Sequence, residues 1–245
     1  MRPNCMTNRM HRTAMILIIG LSSCISTWPR EPTSDFTILV HEDGGMMNRG
    51  TEIVIGPDLS YFETWMQRER TVLFFRSTEA ERISLYSLLR QRNFQWITSS
   101  EEKVYDRGGW TIELEMQGDR IRRSDSGIHF VDSLWADDWQ EILQGLLDFR
   151  DAKTSSLTKV ELRLGSAEKT NVTSLFIGVN GRSVLNYYHG LQDAQGSRLY
   201  FEPGDYRLFV DWTENDRSHR QEIDIRVAPG DAPALILGSE GLSIQ

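Results

Sequence analysis

Cysteine is the first shortage. Of 245 residues only Cys5 and Cys24 carry a thiol. The histidines beyond residue 40, at 41, 129, 189 and 219, are scattered without ligand spacing, so no Cys/His metal cluster is expected and the metal and cofactor sets are read as none. Long apolar runs are missing too. The longest, Thr13 to Leu21, falls well short of the roughly 20 residues needed to span a bilayer core. Cations are in deficit: 27 Lys and Arg stand against 35 Asp and Glu. Three of those cations (Arg2, Arg9, Arg12) fall in the first 23 residues, which hold no acid. So acidic a body excludes sequence-independent binding to nucleic acid, which depends on cations releasing phosphate counterions. No Gly-x-Ser-x-Gly elbow, phosphate loop or dinucleotide glycine fingerprint occurs. What is present suffices for a core: 39% hydrophobic residues with 25% charged, in a length that suits one large domain or two small ones.

The N-terminal segment has the layout of a secretory signal peptide. A basic, acid-free start is followed by the short apolar run and then by Ser22-Ser23-Cys24. Met6 and Met10 are alternative starts within the long basic region. The order Leu21-Ser22-Ser23-Cys24 resembles the lipobox of bacterial lipoproteins. That resemblance implies cleavage before Cys24, diacylation of its sulfur and attachment to a membrane. The cysteine count agrees. Removal of residues 1–23 takes Cys5 away, and a single exported cysteine cannot form an internal disulfide. Residue 25 is isoleucine, where aspartate is the retention signal in some bacteria. The expected address is therefore the outer membrane of the cell envelope, facing the periplasm or the cell surface.

Residues 24–34 contain Pro29 and Pro32 without regular periodicity and read as a short tether. Residues 35–150 read as an α+β domain. Strands are expected at 36–41, 51–55, 71–75, 94–98, 110–116, 120–123 and 128–131. The run Trp110-Thr111-Ile112-Glu113-Leu114-Glu115-Met116 alternates in the manner of a half-buried antiparallel strand. Two helices are expected. The first spans 78–92, with Thr78 and Glu81 forming a capping box. The second starts at Asp138, with Glu141 at the box position and Trp139, Ile142, Leu143, Leu146 and Leu147 on one stripe.

Residues 151–158 are polar and read as a linker. Residues 159–245 show short strands separated by turns and read as an all-β sandwich domain that folds alone. Within it, Val179-Asn180-Gly181 and Pro203-Gly204-Asp205-Tyr206-Arg207-Leu208 resemble the "V-x-N/D-G" hairpin and "P-G-x-Y-x-L" strand entry of PEGA-type sandwich modules of bacterial envelope proteins. The threonine-proline pair usual between those motifs is missing.

Several motifs carry a chemical reading beside a plainer one. Ser-x-x-Lys occurs three times, at Ser100/Lys103, Ser156/Lys159 and Ser166/Lys169. None lies in an expected helix, so the pairs read as chance rather than as a serine nucleophile and its base. Asp125-Ser126-Gly127 has the form used by aspartic proteases, but Arg120, Arg122 and Arg123 crowd its approach and it reads as a hairpin end. His41, Glu42 and Asp43 are consecutive, and consecutive strand residues point to opposite faces. Trp110 and Trp139 are expected in the core. Tyr187, Tyr188 and His189 beside Gly190 are the candidate aromatic ledge for a glycan or peptide, set against a strand end packed on its own sheet.

The resulting expectation is a lipid-anchored envelope lipoprotein with a binding or structural role and no catalytic residues. Lipid on Cys24 links it to the membrane, and an envelope protein or glycan is the expected partner. The alternatives are an anchored hydrolase with an unidentified active site, and an adaptor that captures a protein by strand addition.

Overall fold

The computed structural model describes residues 32–46, 48–67, 69–104, 107–164, 172–187, 197–214, 216–230, 233–238 and 241–244. In chain order the elements are β1 (Thr37–Asp43), β2 (Arg49–Ile55), β3 (Ser60–Met66), β4 (Glu69–Phe75), helix α1 (Glu79–Gln91), β5 (Ser99–Glu101), β6 (Gly109–Met116), β7 (Asp119–Asp125), β8 (His129–Val131), helix α2 (Ala136–Thr154) and β9 (Thr158–Leu164). There follow β10 (Val172–Val179), β11 (Arg182–Tyr187), β12 (Arg198–Phe201), β13 (Gly204–Glu214), β14 (Arg217–Val227), β15 (Ala234–Gly238) and β16 (Gly241–Ile244). The described chain is thus mostly β, with two helices. Ten strands form one sheet in the order β16-β15-β9-β12-β4-β3-β2-β1-β6-β7, β11-β10-β13-β14 form a second, and β5-β8 a third.

Both helices pack through an apolar stripe. In α1 the Thr78 hydroxyl accepts the Glu81 amide at 3.3 Å and the Thr78 amide donates to Glu81 Oε2 at 2.8 Å, so the expected capping box forms. Leu85, Tyr86 and Leu89 are buried. In α2 the buried residues are Trp139, Ile142, Leu143 and Leu146. Lys153 near the end of α2 pairs with Glu81 at 2.8 Å, and Arg92 just past α1 pairs with Asp138 and Glu141, so the helices run antiparallel. Gly145 lies at their contact, where an added Cβ would meet the end of the Leu88 side chain and make it shift.

Register explains how one sheet carries two kinds of face. Ile38 lies opposite Ile55 and Leu114, and Val40 opposite Ile53 and Ile112. These side chains, with Phe75, point to one face. The two helices cover it: Phe36 meets Tyr86 of α1 at 5.6 Å between ring centroids, and Phe75 meets Phe149 of α2 edge-on at 6.0 Å. The alternate residues of β4, Val72 and Phe74, point the other way into a second core. There they join Val160, Leu199 and Phe201 of the same sheet and Ile177, Val179, Leu208, Val210, Ile225 and Val227 of the four-stranded sheet. Phe74 stacks on Phe201 at 4.5 Å, and Phe201 meets Tyr206 edge-on at 4.9 Å.

Five expectations are corrected. First, the break at 151–158 is not a boundary. Helix α2 continues through residue 154, β12 pairs in parallel with β4 and antiparallel with β9, and residues from Pro32 onward cluster as one compact unit. The polar residues 151–156 are the solvated end of a helix and a turn, and strands from both sides of them complete one sheet. Second, residues 94–98 do not form a strand. Asn93 takes a left-handed φ of 53°, and Phe94–Trp96 is one turn of 3₁₀ helix that buries Phe94. Third, α2 starts at Ala136, because a 3₁₀ turn over Ser133–Trp135 has already brought the chain into helical geometry; Asp138 and Glu141 serve Arg92 instead of a cap. Fourth, β3, β5 and β16 were not expected. Fifth, Trp110 is only half-buried, while Trp139 is in the core at 1% exposure.

Candidate functional site

The strongest concentration of chemistry lies where the β1–β2 and β3–β4 hairpins end. The Gln67 amide donates to the Asn48 carbonyl at 2.9 Å, so the two tips are held together. Cross-strand register then sets the residues out in rows, one on each face. On the helix-side face, beyond the helices, Glu42 lies opposite Thr51, Thr51 opposite Thr64 and Thr64 opposite Thr71. This polar row floors a cleft of about 400 Å³ whose walls include Arg49, Met66 and Glu69.

On the opposite face His41 lies across from Glu52, and Glu52 across from Glu63. Like charges directly opposite are unfavourable, so each carboxylate needs a diagonal partner. Tyr61 Oη donates to Glu52 Oε1 at 2.7 Å, and Arg70 Nη1 sits 2.9 Å from Glu63 Oε1. Glu63 is only 5% exposed. Its burial pushes the carboxyl up to about 7; Arg70 opposes the shift and the neighbouring Glu52 adds to it. Glu113 is equally buried and pairs with Arg120. Trp65 lies across Gly50, where any side chain would strike the indole, and His41 packs against it at 5.7 Å between ring centroids. A carboxyl held near neutrality beside a second carboxylate, with an imidazole one strand further along the row, can take up and release a proton.

The residues singled out from sequence fall as follows. Cys24 lies outside the described residues, as do Tyr188 and His189. Tyr187 is the last residue of β11, paired with Leu175 of β10, and its side chain is outside the description. His41 and Glu42 occupy opposite faces of β1, as strand alternation requires, with Glu42 in the cleft and His41 on Trp65. Asp125 accepts from Arg107 Nη2 at 2.6 Å and from the Val131 amide at 3.2 Å, while Arg107 Nη1 donates to the His129 carbonyl at 2.7 Å. Asp125 therefore fastens the turn at Ser126-Gly127, where Gly127 has a φ of 61°. Ser100 lies in β5 and Ser156 in a turn; the Ser166/Lys169 pair is outside the described residues.

Sequence reasoning missed Glu52, Glu63 and Glu113 as a set. Glu113 was visible only as a polar member of an alternating run, and Glu63 belongs to the unexpected β3. The available signal was the alternation of Tyr61, Glu63 and Trp65 against Phe62, Thr64 and Met66. Among the described residues no group of three or more His, Cys, Asp or Glu side chains is disposed to hold a metal ion. No protein-family model matches the chain, and comparisons with curated proteins and with solved structures found no match.

Proposed function

We infer that this chain is a bacterial envelope lipoprotein, anchored by acyl chains on Cys24, whose folded body has a binding or structural role. The observation that carries the reading is the run Leu21-Ser22-Ser23-Cys24 behind a basic, acid-free start and a short apolar stretch. The cysteine count supports it, since Cys24 is the one thiol in the chain after residue 23. In the same reading the four-stranded sheet and the β12–β9 side of the large sheet are the two layers of a PEGA-like sandwich, with the turn at Asn180-Gly181 as its hairpin. Asn180 and Gly181 both have positive φ, as a tight hairpin turn needs, and Asn180 Oδ1 accepts the Arg207 amide at 3.0 Å. The adaptor reading is second. It is supported by β11 ending the four-stranded sheet, because an end strand offers unpaired backbone groups to an added strand.

Acyl burial contributes roughly 0.8 kcal/mol per methylene, so two or three chains hold a protein firmly. Replacing Cys24→Ser and fractionating cells tests the anchor. The wild type is expected processed and in the membrane fraction, and the variant as an unprocessed chain of altered mobility that keeps residues 1–23. A variant that stays in the membrane with unchanged mobility would refute the reading.

A further inference from the structure

A second cleft, of about 460 Å³, lies along the outer edge of β7. It is bordered by Ile97, Thr98 and Ser99 on one side and by Arg122, Arg123, Ser124 and His129 on the other. Strand β7 ends the ten-stranded sheet, so no strand of that sheet pairs with its outer edge. The lining residues include two arginines and a histidine and no acidic residue. In a chain where acids outnumber cations 35 to 27, that is against the general balance.

Among the described residues neither arginine forms an ion pair with a carboxylate, and Glu113, the cross-strand neighbour of Arg122, pairs with Arg120 instead. Elsewhere the described arginines commonly pair, as Arg70 does with Glu63, Arg107 with Asp125 and Arg120 with Glu113. Arg123 instead gives Nη1 to the Arg122 carbonyl at 2.9 Å and Nη2 to the Gln95 carbonyl. It thereby ties β7 to the 3₁₀ turn and closes one end of the cleft. Its head is half-buried, which disfavours the charge; two carbonyls ease that cost, and an anion in the cleft would offset it further. Arg122 is exposed and has no carboxylate within ion-pairing distance among the described residues. Arg122 and Arg123, as consecutive strand residues, point to opposite faces, so they flank the cleft at the strand edge. The nearby acids are engaged: Glu113, directly across on β6 from Arg122, pairs with Arg120; Asp132 Oδ2 accepts the Thr98 hydroxyl; Asp125 holds Arg107; and Glu101 Oε1 is 3.7 Å from His129 Nδ1. Ser99 is exposed at the mouth and adds a hydroxyl donor.

We propose that this cleft binds a phosphate group, held by the guanidinium groups of Arg122 and Arg123 with donors from Ser99 and His129. Arginine forks and hydroxyls approaching from two sides of a strand edge suit a tetrahedral oxyanion, which accepts hydrogen bonds in three dimensions, better than a planar carboxylate. The same chemistry is offered by a soluble phosphoester and by a phospholipid headgroup. The inference rests on the cleft alone and is independent of the anchor at Cys24.

The test is calorimetric titration of the full chain with inorganic phosphate, with acetate as the planar control, and co-sedimentation with phosphatidylglycerol vesicles beside phosphatidylcholine vesicles. Saturable one-to-one binding of phosphate is expected, weakened about fivefold or more by Arg122→Gln and by raised salt, and less by Ser99→Ala. Arg217→Gln, on an exposed strand of the other sheet, should leave it unchanged. Because Arg123 ties two segments together, its removal could unfold this edge; Arg122 and Ser99 are exposed and keep the test decisive. Selective sedimentation with phosphatidylglycerol, lost in Arg122→Gln, supports the proposal with the headgroup as the source. Binding of neither probe, acetate binding as tight as phosphate, or an Arg122→Gln variant that binds like wild type would overturn it.

Discussion

The two faces of the ten-stranded sheet are built by alternate residues of the same strands, yet they are made of different chemistry. Under the helices, the helix-side face of β1, β2 and β6 is aliphatic: Ile38, Val40, Ile53, Ile55, Ile112 and Leu114 are all at 2% exposure or less. The other face changes character along its width. At β4, β12 and β9 it is a dry core shared with the four-stranded sheet, and at β1, β2, β3 and β6 it carries His41, Glu52, Glu63 and Glu113. A sheet face can therefore serve as core on one side and as a charged surface on the other, because each strand contributes its own pattern to a shared row.

The sharpest way to break that comparison is to remove neighbours that point opposite ways. Phe74 and Phe75 are adjacent in β4 and both buried, Phe74 under the second sheet and Phe75 under α2. Each change to alanine should cost about 3–5 kcal/mol, and each should unfold the whole body in one transition followed by circular dichroism and by tryptophan fluorescence. Two separated transitions would revive the division at 151–158. In the same vein a fragment of 159–245 should stay unfolded, since β12 would lose its neighbour β4 and the second core would lose Val72 and Phe74.

Glu63 gives the next effect. Its carboxyl sits near 7 in the folded chain and near the ordinary 4.5 when unfolded. Between those values the folded chain keeps a proton that the unfolded chain has released. This contribution to stability is complete below about pH 4.5 and is lost as pH rises to about 7. Glu63→Gln cannot ionise, so it should be more stable than wild type at pH 8 by about 1–3 kcal/mol, with the difference vanishing towards pH 4. Denaturant unfolding at both pH values checks this, and a variant less stable than wild type at pH 8 would show that the Arg70 pair outweighs desolvation.

Much of this architecture was legible in the residues. The Thr78/Glu81 capping box is a local signal and formed as read. The alternation over 110–116 picked out the buried Ile112, Leu114 and Met116, but not the burial of Thr111 and Glu113 on the other face or the half-exposure of Trp110. What could not be read was non-local. Nothing near residue 198 indicates that β12 pairs with β4, more than 120 positions away, and Glu63 becomes unusual only when β2 and β4 set Glu52 and Arg70 beside it. The polar stretch at 151–156 misled for a local reason, since a solvated helix end and a linker have the same composition.

Smaller effects sharpen the account. Thr78→Ala should cost about 1 kcal/mol in thermal unfolding through loss of the cap to α1. Separating the exposed pair Arg207–Asp224, 2.8 Å apart, by Arg207→Ala should leave the melting temperature unresolved from wild type, because water screens both groups.

An intact-mass measurement on the protein purified from membranes of its native host tests the anchor at Cys24. The expected mature chain begins at Cys24 and carries the added mass of at least a diacylglyceryl group that alkaline hydrolysis partly removes. A mature chain that retains residues before Cys24, or one whose Cys24 is an unmodified thiol, would contradict it.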